Sequence, residues 1–364
     1  MKIKAAVIRE RGGAFLLEEL DLDEPRDHEV LVRIVGTGVC HTDLVARDQF
    51  IPAPLPAVFG HEGAGVVEKV GARVTKVKPG DHVVLSFLTC GACPACLQGM
   101  PSHCPSFLPS NVAGVRSDGS TTLCKGDEII HGSFFGQSSF ASHALAAERN
   151  VVKVRRDVRL EILGPLGCGV QTGAGGVMNS LKPPIGSSIA VFGAGSVGMS
   201  AILAAAAVGC GTIMAVDVVP ARLELALELG ATHAINSLEQ NAVEVIRQLT
   251  GQGADFSLEC TALPKVFRQA VDCIRVGGTC GLIGVAGPGV EVSLEMATIL
   301  DARTIKGIVE GDSNPDIFIP QLIELYRMGR FPFDRMLKSY PLEQLNQAVE
   351  DSEKGRVLKA IVHP

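Results

Sequence analysis

The sequence predicts a two-part α/β protein in which a doubly wound parallel sheet is joined to an irregular, barrel-like antiparallel domain. Three observations carry this. After Lys182-Pro-Pro-Ile-Gly186 strand-like and helix-like runs alternate regularly; a glycine-rich turn opens that alternation; and the preceding half is cut into short β-like runs by Gly and Pro. At 364 residues the chain exceeds one ordinary core and fits two domains.

In the first half the β-like runs are Ala5–Ile8, Glu29–Val35, Gly65–Lys69 and Asp81–Leu85, a punctuation that suggests an irregular barrel. Pro101–Phe140 has little periodicity and many Ser, Gly and Pro residues. That is long for a plain connection and marks a segment bordering a site.

In the second half Ser188–Phe192 reads as a buried strand, Ser196–Val208 as a helix, Thr212–Asp217 as a strand and Pro220–Leu229 as a helix stopped by Gly230. An extended Ala234–Asn236 follows, then a helix near Ala242–Thr250, the strand Ala254–Glu259, a helix near Val266–Ile274 and the strand Thr279–Val285. A strand (Ile305–Val309), a helix (Asp316–Met328) and a last strand (Val357–Val362) complete the pattern, with no solenoid repeat or low-complexity tract.

Composition narrows the function. A net charge of −6, no Trp and two Tyr argue against nucleic acid, which demands a basic surface and stacking aromatics; a small molecule is the expected partner. The apolar runs Ile189–Val191 and Met199–Val208 are too short to span a bilayer, so no membrane role is expected. The start MKIKAAVIRERGG lacks the apolar core of a signal peptide, which suggests the cytoplasm. In that reducing compartment eleven cysteines point to metal or catalysis rather than a disulfide framework.

Gly193, Gly195 and Gly198 in Val191-Phe-Gly-Ala-Gly-Ser-Val-Gly198 have the G-x-G-x-x-G spacing, between a strand and a helix. Gly193 permits the tight turn, Gly195 lets a pyrophosphate approach the backbone, and Gly198 lets the helix sit close to the strand. Asp217 ends the second strand, where a carboxylate binds the adenosine ribose hydroxyls; it repels a 2′-phosphate, which favours NAD over NADP. Arg222, in the following helix, is placed either to touch the ribose or to sit as a solvated helix residue.

Cys90, Cys93, Cys96 and Cys104 form C-x2-C-x2-C-x7-C, and four thiolates enclose a tetrahedral zinc with no open position. An iron–sulfur cluster takes the same ligands, with a shorter last spacing; zinc is favoured, although Pro105 follows Cys104 as in cluster motifs. Gly38-Val-Cys-His-Thr-Asp43, Gly60-His-Glu-Gly63 and Gly167-Cys-Gly169 offer further ligands. Three protein ligands would leave a zinc position open to substrate, whereas Cys168 and His61 taken singly read as core residues.

Cys40, His61-Glu62, Cys168, the four-cysteine loop and GAGSVG followed by Asp217 together resemble the zinc-dependent alcohol dehydrogenases of the medium-chain dehydrogenase/reductase superfamily, over essentially the whole chain. The aryl-alcohol (benzyl-alcohol) branch is the most similar, partly through Gly307-Ile-Val-Glu-Gly-Asp-Ser313. The resemblance implies a GroES-like catalytic domain over 1–169 and 310–364 and an inserted Rossmann NAD domain over 170–309. It assigns Cys40, His61 and Cys168 to a catalytic zinc and the four-cysteine loop to a structural one, two zinc ions per chain. Glu62 would lie behind the metal, Asp43 would fix the tautomer of His61, and Thr42 would take the proton of the substrate hydroxyl.

Thr172 matches a position near the nicotinamide, with a helix-cap role as the alternative, and His41 and Lys359 match positions that meet the pyrophosphate. Val45, Phe87, Val285 and Ile308 match or adjoin substrate-pocket positions and would make the pocket apolar; core packing is the other reading of each. One departure is Val45, where many relatives carry a His that relays the proton to solvent. The implied reaction is reversible oxidation of a primary, aromatic or allylic alcohol to the aldehyde, in a homo-oligomer expected to be a tetramer. The alternatives are another zinc member of the superfamily, such as a glutathione-dependent formaldehyde dehydrogenase or a polyol dehydrogenase, and a zinc-bearing NAD-binding protein without turnover.

Overall fold

The computed structural model describes all residues from Met1 to Pro364, in two compact units. The first contains Met1–Cys168, Asn314–Pro320 and Asp334–Pro364, the second Gly169–Ser313 and Gln321–Phe333.

The first unit is built on two sheets. A five-stranded sheet runs in the order Ala57–Val58, Lys2–Ile8, Leu16–Leu22, Leu123–Lys125, Glu128–Ile130. In a seven-stranded sheet Glu29–Gly38 is the hub: it pairs with Gly63–Val70 along its length, with His143–Ala147 through Glu29–Arg33, and with the last strand, Lys359–His363, through Thr37 and Gly38. Its alternating valines Val30 and Val32, with Ile34, face a core shared with Val67, Val83, Leu85 and Ala144, as expected of a pleated strand with one face buried. These pairings set Thr37 between Gly63 and Val362, and Gly38 opposite Ile361, so the chain segments bearing Cys40, His61 and Glu62 leave the sheet at one end. The aperiodic stretch 101–140 holds the short helix Phe107–Val112 and the hairpin Leu123–Lys125/Glu128–Ile130.

The second unit is a six-stranded, all-parallel sheet in the order His233–Asn236, Thr212–Asp217, Ser188–Phe192, Ala254–Glu259, Ile274–Leu282, Thr304–Gly307. Ile189, Ala190, Val191 and Phe192 are all buried, as the central strand of a doubly covered sheet must be. The chain order reverses between Ser188–Phe192 and its neighbour Ala254–Glu259, the switch point at which such sheets bind ligands beyond their carboxyl ends. No helix is long and apolar enough to cross a membrane.

Two elements and the domain bounds differ most from the sequence reading. The helix expected near Val266–Ile274 is Pro264–Asp272, begun by Pro264 at its first turn. The strand after it starts already at Ile274 and ends at Leu282, because a bulge opposite Ala254–Phe256 and the positive φ of Gly277 (72°) hide its first residues from a periodicity argument. The domain boundaries also move. Glu310–Ser313 and Gln321–Phe333 fall in the second unit, where Asn179 donates to the Gly311 carbonyl (3.2 Å), Ser180 to Asp312 (2.7 Å) and Arg330 to the Ala207 carbonyl (2.5 Å).

The close approach of helix Ser196–Val208 to its strand rests on one missing side chain. A Cβ on Gly198 would lie 1.8 Å from the Gly193 carbonyl oxygen. Gly198→Ala therefore either pushes the helix outward or distorts the turn, an overpacking worth about 1–3 kcal/mol. A lowered melting temperature together with weakened NADH binding, read by fluorescence titration, is the expected result; unchanged values would contradict this packing.

Candidate functional site

Cys40 caps the helix His41–Arg47 in extended conformation (φ −119°, ψ 153°), and Asp43, in the first turn, is fully buried. One Asp43 oxygen accepts hydrogen bonds from His61 Nδ1 (2.8 Å) and the Gly60 N–H (3.0 Å), and the other accepts from the Cys40 N–H (3.0 Å). A carboxylate can only accept, so Nδ1 carries the proton and Nε2 presents its lone pair. That Nε2 is buried and has no hydrogen-bond partner. It lies in a cluster with Cys40, Cys168 and Glu62 in which one ligand atom from each is within 4.8 Å of the others. The neighbouring Cys168 thiol, ahead of Lys359 and His61, holds Cys40 well below the ordinary thiol range. Burial alone would lower His61, but Asp43 and then Cys40 outweigh it and raise it. Both shifts favour positive charge at the point where the thiols meet Nε2, whether it is a proton on Nε2 or a metal ion accepting its lone pair, and two sulfurs with one nitrogen suit zinc.

Glu62 is fully buried and ion-paired to Lys359, whose Nζ donates to Oε1 (2.7 Å) and to the Val39 carbonyl (3.0 Å). Burial pushes the Glu62 carboxyl up, to about 7, against the pull of Lys359. Glu62 and Cys40, working against burial, raise Lys359 above the usual amine range. Lys359, matched above to a position that meets the pyrophosphate, is only 2 % exposed, and its ammonium bonds Glu62 and a carbonyl.

The four-cysteine loop forms the second cluster, again with its ligand atoms within 4.8 Å of one another. Cys90 Sγ lies 3.5 Å from Cys104 Sγ and 4.0 Å from Cys96 Sγ. Zinc–sulfur bonds of about 2.3 Å in a tetrahedron set sulfurs about 3.8 Å apart, so the residues fit that ion. The backbone N–H groups of Ala92 and Cys93 hold the Cys90 thiol down, to about 6. All eleven cysteines are free, so neither cluster is spent on a disulfide.

In the second unit Gly193 has φ +88°, and a Cβ built on Gly195 meets nothing within 4 Å, which leaves the backbone there open to a close-approaching ligand. Asp217, 7 % exposed, accepts hydrogen bonds from the N–H groups of Ala194 (2.6 Å), Val218 (2.7 Å) and Val219 (2.9 Å). Arg222 turns back toward it, Nη1 to Oδ2 being 3.8 Å, rather than standing in solvent. These residues fit a dinucleotide.

Thr42 is half-buried with Oγ1 3.8 Å from Cys40 Sγ, and His41 is exposed at the helix start. Thr172 donates to Glu310 (3.1 Å). Val45 is half-buried and Phe87 buried in the first unit. Val285 and Ile308 line a cleft of about 430 Å³ in the second, where Val285 is 82 % exposed and Ile308 5 %. Two features had no signal in the sequence. Phe135 lays its ring on the imidazole of His61 (centroids 4.5 Å, planes 30° apart), and Gln137 bridges the His61 carbonyl and the Gly63 N–H (2.9 and 3.0 Å).

Comparison with known proteins agrees with this geometry. Residues 26–156 match the alcohol dehydrogenase GroES-like domain and residues 196–326 the zinc-binding dehydrogenase family. The chain is 47 % identical to the geraniol dehydrogenase of Castellaniella defragrans over 99 % of its own length and 97 % of that protein's. Its structure superposes on benzyl alcohol dehydrogenase from Acinetobacter calcoaceticus with a TM-score of 0.97 at 47 % identity, covering 100 % and 99 % of the two chains. It superposes on an alcohol dehydrogenase zinc-binding domain protein from Burkholderia ambifaria with a TM-score of 0.98 at 53 % identity, again over 100 % and 99 %. With two cysteines and a histidine converging on one buried point and a dinucleotide turn in the second unit, the chain belongs to the zinc-dependent alcohol dehydrogenases of the medium-chain dehydrogenase/reductase superfamily.

Proposed function

We propose that the protein oxidises a primary allylic or aromatic alcohol to its aldehyde, passing hydride to NAD in a reversible reaction. The observation that carries this reading is the convergence of Cys40, His61 and Cys168 around a buried imidazole nitrogen that lacks a hydrogen-bond partner. These three residues would hold the catalytic zinc, leaving a position for substrate, while Cys90, Cys93, Cys96 and Cys104 would enclose a structural zinc. Bound there, zinc supplies the Lewis acidity that takes the pKa of water from about 15.7 to about 7 and acts likewise on an alcohol hydroxyl, and NAD supplies the hydride acceptor.

The chain's own residues do the rest. Asp43 keeps the proton on Nδ1 of His61 and so leaves Nε2 as the nitrogen that would hold the metal. Thr42, beside the Cys40 sulfur, accepts the substrate's hydroxyl proton and passes its own on. Val45, one turn further along the same helix, offers no relay group, so that proton leaves through water. Gly193, Gly195 and Gly198 receive the pyrophosphate, and Asp217 takes the ribose hydroxyls, with Arg222 held beside it. Similarity to a geraniol dehydrogenase and a benzyl alcohol dehydrogenase, with apolar Val45, Phe87, Val285 and Ile308 at or near the pocket positions, supports a conjugated apolar substrate. The eleven free cysteines support a reducing cytoplasm, and the family resemblance supports a homotetramer.

A panel of alcohols including benzyl alcohol, geraniol, a polyol and S-hydroxymethylglutathione, read as NADH formation, tests the reading; turnover confined to the last two would overturn the substrate class. Cys40→Ser is expected to abolish NADH formation and lower the zinc content from two to about one per chain with little change in melting temperature. An active variant holding two zinc ions would refute the ligand set. Cys90→Ser is expected instead to lower the melting temperature and weaken assembly before turnover is lost. If turnover vanished in a fully stable, fully assembled variant, the two metal roles would be exchanged. Val45→His is expected to speed proton release at low pH by about a hundredfold, the lower edge of general-base effects; stopped-flow measurement with a pH indicator showing no acceleration would rule out a missing relay.

A further inference from the structure

Between the two cysteine-bearing sites runs a contact path of aromatic rings. Phe107 opens the helix Phe107–Val112 three residues after Cys104, and its N–H donates to the Cys104 carbonyl (2.8 Å). Asn111, fully buried, fixes that helix: it bonds the N–H and carbonyl of Leu88 (2.8 and 2.9 Å), two residues before Cys90, and the Phe107 carbonyl (2.7 Å). The ring of Phe107 meets that of Phe135 edge-on (6.3 Å, 86°), and Phe135 lies against His61.

Phe135 is held where a bulky residue does not ordinarily go. Its φ and ψ are +50° and +32°, in the left-handed region, and Gly136 and Ser138 on either side of Gln137 are positive as well. Such strain persists only when its surroundings over-determine it. Here Asn150 donates to the carbonyls of Phe135 (3.3 Å) and Gly136 (3.1 Å), and Ser138 Oγ accepts from the Phe134 N–H (2.9 Å) and donates to the Val58 carbonyl (2.7 Å). Asp43 holds one edge of His61 and Phe134 meets the ring edge-on (5.6 Å, 81°), so the remaining freedom is a tilt about the line from Nδ1 to the carboxylate. A ring lying on its face removes that freedom.

We propose that the four-cysteine loop, through Phe107 and Phe135, sets the tilt of His61 and so tunes how firmly the three-ligand site holds its metal. Both phenylalanines are positioning residues, and the proposal rests on the reading of Cys40, His61 and Cys168 as zinc ligands.

The experiment uses the full-length protein with cobalt(II) at the three-ligand site and reads the d–d and thiolate-to-cobalt bands, together with the rate at which a chelator removes that metal. The wild type must show thiolate-to-cobalt absorption that Cys40→Ser removes; if it does not, the ligand reading itself fails, separately from this proposal. Given that absorption, Phe107→Ala is expected to keep two metals per chain, shift the d–d bands and release the cobalt about tenfold faster, the low end of what loss of a group supporting a metal ligand costs. Leu108→Ala, on an exposed neighbour in the same helix, should change neither, and Phe107→Tyr should restore both. Should Phe107→Ala not fold, Phe135→Leu is expected to give the same shift and acceleration. Wild-type spectra and release rates in the folded variants would overturn the proposal, as would equal effects of Leu108→Ala.

Discussion

The Asp43 carboxylate, with its three hydrogen bonds from His61 Nδ1 and the N–H groups of Gly60 and Cys40, locks together two segments that the hub strand has brought side by side. It caps the start of its own helix, fixes the turn that delivers His61, and chooses which imidazole nitrogen faces the thiols. One of its oxygens lies across the imidazole from the unpartnered Nε2. The placement of Cys40 relative to His61, the unpartnered Nε2 and the upward bias of the imidazole all depend on this carboxylate.

Behind this lies the buried pair of Glu62 and Lys359. Two charges withdrawn from water are kept only when well matched, and here a carbonyl from Val39 completes the ammonium's bonding. The packing leaves it no slack: a Cβ on Gly38 would stand 1.9 Å from a Glu62 oxygen, and one on Gly164 would stand 2.1 Å from the Glu62 carbonyl. The strand pairing of Lys359–His363 with Thr37 and Gly38 thus does more than close the sheet. It brings a lysine from the end of the chain under the segment that carries His61.

What was legible in the sequence was what is local. Gly193, Gly195, Gly198 and Asp217 lie within 25 consecutive residues, and the four cysteines within 15, so spacing alone announces their geometry. Cys40, His61 and Cys168 share no period and came together only through a family resemblance, because the hub strand and its neighbours, not the chain, bring them close. The pairing of Lys359 with Glu62 was not legible for the same reason: the two are 297 residues apart, and an isolated lysine reads as a surface cation. Nor could Phe135 announce itself, since a left-handed phenylalanine is specified by the hydrogen bonds of Asn150 and Ser138 and not by its own preference.

The contrast in chain separation has a consequence for how the protein is made. Closing a loop costs more entropy as it lengthens, and the four cysteines need only a short loop to converge, whereas Cys40 and Cys168 are separated by most of the first unit. On the proposed assignment, the first ion can be captured by a nascent segment as soon as Cys104 has emerged, while the second must wait for a folded chain to assemble its donors. A shortage of metal during synthesis would then act at two different times, early on the shape of the chain and late on its competence.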